Sequence, residues 1–179
     1  MIIITAVGAD RPGMAHAVAA KLADYGCNIE DTTMTRLCGE FAMILIVSPP
    51  PDIAPADLAI HLSPLEKSHG LFINCRAVAE VQEQIGGQDD YTAPRYMLSV
   101  YGPEKSGLVA RITGVLAAHG VNITDVQTRV ASHGTVYIMI FEVELPANLE
   151  AETLQQSLHN TAHEIGVEVS LRPLEEDTL

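Results

Sequence analysis

The sequence has no tryptophan, eight other aromatic residues, three cysteines, and ten basic residues against twenty-three acidic ones. Each scarcity closes off a class of function. The five tyrosines and three phenylalanines include no clustered pair, so there is no platform on which nucleic-acid bases would stack. The deficit of basic residues leaves a net charge of −13 at pH 7, and a field of that sign repels a phosphate backbone. Direct nucleic-acid binding is therefore not expected. Cys27, Cys38 and Cys75 form no CxxC pair and leave an odd count, which fits a reducing compartment and argues against a disulfide scaffold. No apolar run approaches the ~20 residues of a membrane span. The chain opens on Met1-Ile2-Ile3-Ile4 with no basic region or small-residue cleavage site. The expectation is a soluble, cytoplasmic protein without a membrane partner.

What is present is a repeat. Gly26-Cys27-Asn28-Ile29-Glu30-Asp31 returns as Gly120-Val121-Asn122-Ile123-Thr124-Asp125. At the same offset Gly8 falls on Gly102, Gly13 on Gly107, Leu22 on Leu116 and Ala23 on Ala117. Glycines and polar residues at element ends recur along with the apolar pattern, so a backbone was duplicated together with its turns. The repeat divides 179 residues into two small units. Apolar residues make up 47% of the chain, enough for two modest cores.

Ile2 to Val7 is almost wholly apolar or β-branched and predicts a strand buried on both faces. Asp10-Arg11-Pro12-Gly13 follows as a turn into a helix, with Asp10 as a possible cap and Pro12 in the first helical turn. Met14, Val18 and Leu22 give that helix an apolar face, and Gly26 closes it. Asn28–Leu37 and Phe41–Val47 predict a hairpin around Cys38-Gly39-Glu40. Asp57–His69 carries Leu58, Leu62 and Leu65 at helical spacing. Ser63-Pro64-Leu65-Glu66 has the form of a capping box with proline at the first position, so a kink or restart is expected there. Leu71–Val81 is the last strand. The order β-α-β-β-α-β is the ferredoxin-like split unit, so the fold class is α+β, two such units in tandem, each an antiparallel sheet with helices on one face.

Residues 82–94 are polar and glycine-containing and predict a linker between domains at 1–81 and 95–174. The second copy repeats the order: strand Tyr96–Tyr101, helix Ser106–His119 with Leu108, Ile112, Val115 and Leu116 on one face, and a hairpin of Asn122–Ala131 and Thr135–Leu145 around His133-Gly134. Helix Leu149–Ile165 and a half-exposed strand at Val167, Val169 and Leu171 complete it. Residues 175–179 form an acidic tail.

Two places in each copy could carry chemistry. The helix start at Gly13 offers free backbone N–H groups and the positive end of a helix dipole, worth ~0.3–1 kcal/mol to an anion. Asn28 and Asp31 supply a carbonyl and a carboxylate that could accept from an ammonium group. An anion site and a cation site in one small cavity would describe an α-amino acid. A plainer account stands beside it: asparagine after glycine is common in tight turns, Asp31 is a solvated edge residue, and Asp10 is only a cap. The residues alone leave both open.

Asp10-Arg11-Pro12-Gly13 followed by Gly26-Cys27-Asn28-Ile29-Glu30-Asp31 resembles the ACT domain, a ferredoxin-like module that binds small molecules. The run from Gly26 through Phe41, with Gly39-Glu40-Phe41, is similar to the tandem-ACT family of the glycine cleavage system transcriptional repressor. The resemblance covers both halves. It implies a regulatory amino-acid sensor without catalytic residues or cofactor, in which ACT domains pair side by side and the ligand, glycine or another small amino acid, sits at the seam. Carried over by position, the resemblance implies ligand contacts from Asp10, Pro12, Gly13, Asn28, Ile29 and Asp31, and from Gly107, Asn122, Ile123 and Asp125 in the second copy. That copy departs from the pattern, with Glu104-Lys105-Ser106 in place of Asp-Arg-Pro. The repressor family acts through a protein partner rather than by touching DNA, which the resemblance extends to this chain. Further homo-oligomerisation is expected because each unit leaves a sheet edge to cover.

Three rivals come from other classes. An acylphosphatase on this fold needs an arginine in the first loop, and Arg11 is there. A zinc site could begin from His159 and His163, at i and i+4 on one helix, but nothing nearby in sequence completes it. A plain interaction module of the same fold, with no ligand, is the third, and it predicts that Asn28 and Asp31 are dispensable for any small-molecule response.

Overall fold

A computed structural model describes residues 1–78, 93–131 and 136–174. The chain divides into two compact units, Met1–Gly87 and Gln88–Leu179. In the first, β1 (Ile2–Ala9), α1 (Met14–Asp24), β2 (Asn28–Leu37), β3 (Glu40–Ser48), α2 (Pro55–His69) and β4 (Leu71–Ala77) follow in order. The second repeats this as β5 (Arg95–Gly102), α3 (Leu108–Ala118), β6 (Asn122–Ala131), β7 (Val136–Glu144), α4 (Ala151–Ile165) and β8 (Glu168–Pro173). The sheets are ordered β2-β3-β1-β4 and β6-β7-β5-β8, with antiparallel neighbours throughout. This is the expected ferredoxin-like unit, twice. Of the sequence expectations, most of the 82–94 linker, the end of the Leu71–Val81 strand beyond Val78, Thr135, the His133-Gly134 turn and the 175–179 tail lie outside the described residues.

Each core lies between one face of its sheet and its two helices. Met14, Val18 and Leu22 recur at every fourth position of α1 and are all buried against β1 and β3, where Ile4, Ala6, Leu45 and Val47 are fully buried. Leu108, Ile112 and Leu116 do the same on α3. Each such side chain contributes ~1.5–3 kcal/mol on leaving water, so three per helix hold a short helix that would not persist alone.

Four local expectations are corrected. Strand β1 is not buried on both faces: Ile2, Ile4 and Ala6 are buried, while Ile3 and Thr5 are half-buried and Val7 is exposed. The helices cover one face only, so burial alternates with the pleat. Asp10 is not a helix cap, and Pro12 lies ahead of α1 rather than in its first turn. The N-cap is Gly13, at φ 94° and ψ −4°, and the Met14 N–H reaches back to the Arg11 carbonyl at 3.4 Å. Arg11 to Met14 is thus a type II turn with proline and glycine where that turn requires them. Lys105 to Leu108 repeats it, with Gly107 at φ 83° and the Leu108 N–H at 3.3 Å from the Lys105 carbonyl.

The fourth correction concerns Pro64, which neither ends nor restarts α2; the helix runs through it from Pro55 to His69. Pro64 has no N–H for the Ile60 carbonyl one turn back. The Ser63 hydroxyl donates to that carbonyl instead, at 2.8 Å. The capping interaction sits at the true start of the helix, where the Ala54 N–H donates to the Asp57 carboxylate at 3.0 Å and Pro55 takes the first position. Glu66, expected in the capping box, accepts from the Ile73 N–H of β4 at 3.1 Å.

Candidate functional site

The loop after the first strand and the start of the second strand are built differently in each copy, although the backbone repeats. In the first unit the loop is tied to the β2–β3 hairpin: the Asp10 N–H donates to the Gly39 carbonyl at 2.7 Å, and the Asp10 carboxylate pairs with Arg36 at 3.3 Å. In the second, Lys105 Nζ donates to the Ile165 carbonyl at 2.8 Å, placing a cation at the C-terminal end of α4. Val130 stands where Arg36 stands in the first copy, so the ion pair is not repeated. Two open grooves border the second loop. One, of about 610 Å³, is lined by Glu104 to Ala110 and Tyr137. The other, of about 490 Å³, is lined by Tyr101 to Pro103, Val136 and Gly166 to Glu168.

Gly13 and Gly107 are the left-handed residues of their turns, at the start of α1 and α3, and Pro12 precedes Gly13 in the first. Ile29 and Ile123 are half-buried and pack on their cores, which anchors the strands that carry Asn28 and Asn122. The two halves of the expected site do not meet within one unit. Strands β1 and β2 both run antiparallel to β3, so they run parallel to each other. Asn28 pairs with Ser48, beside the Ile2–Val47 pair, whereas Ala9, the residue before the loop, pairs with Glu40 at the far end. The 11-residue α1 connects these ends over roughly 16 Å. A single small cavity holding both Gly13 and Asn28 is therefore not formed by one unit, and the second unit repeats the geometry.

At the asparagine end the hydrogen bonds differ from those expected. Strand β2 bulges between Ile29 and Asp31, and β6 bulges between Ile123 and Asp125, so Glu30 and Thr124 are the inserted residues. Asp31 accepts from the adjacent Thr32 N–H at 2.7 Å, and Asp125 accepts from the Gln127 amide at 3.3 Å. The asparagines go elsewhere. Asn28 Nδ2 donates to Glu30 Oε1 at 3.0 Å, and Asn122 Nδ2 donates to Glu144 Oε2 at 3.1 Å. Hydrogen bonds from Asn28 and from Ser48 hold the Glu30 carboxyl below its ordinary range. Sequence reasoning missed both glutamates. Finding Glu144 requires the hairpin register, in which Asn122 faces Glu144, and that register is displaced by a bulge.

Among the described residues no group of three or more His, Cys, Asp and Glu could hold a metal ion. His159 Nδ1 donates to the Gln155 carbonyl of its own helix at 2.9 Å. No helix among the described residues is long and apolar enough to cross a membrane.

The ACT domain family model matches residues 1–76 and 95–172. A "UPF0237 protein" of Methanosarcina mazei is 33% identical over 82 residues, 45% of this chain and 87% of that protein. The glycine cleavage system transcriptional repressor of Escherichia coli is 43% identical over 47 residues, 26% of this chain and 25% of the repressor. Among solved structures, an unknown protein from Galdieria sulphuraria superposes with a TM-score of 0.78 at 28% identity, covering 97% of this chain and 98% of that one. A candidate glycine cleavage system transcriptional repressor superposes at 0.67 with 20% identity, covering 98% and 97%, which speaks to the fold.

Proposed function

The chain belongs to the ACT domain family, and from that premise we propose that it is a regulatory protein that binds a small α-amino acid and acts through a protein partner, without catalysis. One observation carries the reading. Each unit repeats, at opposite ends of its sheet, a left-handed glycine turn at a helix start and an asparagine hydrogen-bonded to a carboxylate. The turn suits the carboxylate of an amino acid, and the asparagine end suits its ammonium group. Because roughly 16 Å separates the two ends, a small amino acid would join the turn of one protomer to the asparagine end of another. Strands β2 and β6 are outermost in their sheets and exposed along nearly their whole length, which supports such assembly. Ligand-driven assembly is coupling by differential affinity.

Action on transcription through a partner rests on the likeness to the Escherichia coli repressor and on the net charge of −13, which disfavours direct contact with DNA. The same likeness makes glycine the first ligand to try. The rival reading, a ligand-free interaction module, is favoured by Phe72 and Ile44, which are 69% and 47% exposed on the sheet face away from the helices.

Thermal unfolding followed by dye against the standard amino acids separates the two. A ligand at 100 times its dissociation constant adds ~2.7 kcal/mol, which moves the midpoint by ~5–10 °C in a chain of this size. The sensor reading expects one small amino acid to give this shift and Asn28→Ala with Asn122→Ala to remove it. A flat panel would leave the interaction module.

A further inference from the structure

We infer that the ammonium acceptor in each unit is an asparagine–glutamate pair, Asn28 with Glu30 in the first and Asn122 with Glu144 in the second, and not the aspartate that recurs in the sequence. This rests on the amino-acid reading above and names the groups that would hold the ligand's amine.

The two copies differ at this end of the sheet. Positions 30 and 124 correspond, and so do 48 and 144, because Asn28 faces Ser48 and Asn122 faces Glu144. The first copy has glutamate on β2 and serine on β3; the second has threonine on β2 and glutamate on β3. The carboxylate has changed strands, yet in both copies it lies within 3.0 to 3.1 Å of the asparagine amide nitrogen. A surface contact with no role has no reason to be rebuilt from the other strand. The aspartates at 31 and 125 kept their sequence position, but each has an oxygen engaged by a near neighbour, the Thr32 N–H or the Gln127 amide.

The chemistry is that of a primary ammonium. By donating Nδ2 to the glutamate, each asparagine turns its amide so that Oδ1 remains as an acceptor beside the glutamate carboxylate. Two acceptors, one of them charged, then stand side by side, and a charge-assisted bond to an ammonium is among the stronger ones available at a surface. The basic group nearest by register is Arg95, which pairs across the sheet with Glu144, but its guanidinium is turned to Glu142 at 2.9 Å. The Glu30 carboxyl, held below its ordinary range by Asn28 and Ser48, is ionised throughout the neutral range.

The test uses the full chain labelled with ¹⁵N and follows the side-chain NH₂ signals of Asn28 and Asn122. The probes are glycine, methylammonium chloride and sodium acetate at matched ionic strength. Methylammonium and glycine are expected to shift both asparagine signals, and acetate neither. Glu30→Gln, which keeps the shape and an acceptor for Asn28, is expected to weaken the response at Asn28 at least ~10-fold while Asn122 still responds. Glu144→Gln should do the reverse, and Asp31→Asn should change neither by more than about 2-fold. If methylammonium moves neither signal, or if Glu30→Gln and Glu144→Gln leave the responses intact, the assignment is overturned. Should methylammonium bind and no amino acid do so, the pair stands and the sensor reading falls. Should an amino acid bind with unchanged affinity to the double glutamine variant, the sensor reading stands and the pair falls.

Discussion

Gly102 at the end of β5 packs directly on Val167, so closely that a β-carbon on the glycine would overlap the valine side chain. Gly8, its counterpart, stands in the same relation to backbone: an added β-carbon would lie 2.7 Å from the Gly70 carbonyl oxygen. Both contacts close the last strand of a unit against the end of its first, which explains a glycine retained at this position in both copies.

Overpacking at these sites costs ~1–3 kcal/mol. Gly102→Ala is expected to lower the unfolding midpoint, and Val167→Ala to restore part of the loss in the double variant because the overlap is with side-chain atoms. Gly8→Ala has only backbone to displace and should not be rescued by any side-chain truncation. Chemical denaturation of the four variants checks the coupling, and additive effects of Gly102→Ala and Val167→Ala would contradict the contact.

The turns at Gly13 and Gly107 have open space around the missing β-carbon but sit at φ 94° and 83°. Alanine there meets only the left-handed penalty, ~1–2 kcal/mol. Gly13→Asn should cost less than Gly13→Ala, since asparagine tolerates that region. Equal losses for the two substitutions would mean that something other than backbone conformation holds the glycine.

Proline inside a helix costs ~3 kcal/mol, part of which returns as ~0.4–1 kcal/mol of reduced freedom in the unfolded chain. Pro64→Ala is therefore expected to stabilise the first unit by about 2 kcal/mol. Ser63→Ala should cost ~1 kcal/mol in the parent chain, where its hydroxyl serves the Ile60 carbonyl. In the Pro64→Ala background the new N–H takes over and the serine should matter little. A double-mutant cycle by urea denaturation measures this, and a serine cost independent of residue 64 would refute the substitution of partners.

Burial and the neighbouring Glu66 carboxylate push the Cys75 thiol up to about 11 from an ordinary 9.0. The thiol is thus raised in the folded state, and between those pH values the folded chain binds more protons than the unfolded one. Stability falls as pH rises through that window, by at most ~1.4 kcal/mol per pH unit from this group. Denaturation midpoints from pH 8 to 11 should decline less steeply for Cys75→Ala than for the parent. Thiol titration of the folded protein at pH 8 should label exposed Cys38 well before Cys75 and buried Cys27.

Local chemistry determined much of this protein from the sequence alone. The repeat, the helix faces at Met14, Val18 and Leu22, the glycines at left-handed turns and the β-α-β-β-α-β order all follow from short-range preferences and from which residues avoid water. Apart from the repeat, which is seen by laying stretches ninety-four positions apart over each other, nothing beyond a window of about a dozen residues is needed to see them. What the tertiary structure decided are the pairings across that distance. Asp10 meets Arg36 rather than capping α1, because β2 and β3 return the hairpin to the loop. The turn and the asparagine lie at opposite ends of the sheet, because β1 and β2 run parallel on either side of β3. Asn122 meets Glu144, twenty-two residues on, because a bulge shifts the register by one residue. A one-residue shift changes every cross-strand partner while leaving the periodicity of each strand intact, so the pattern that located the strands carried no record of which side chains they would bring together.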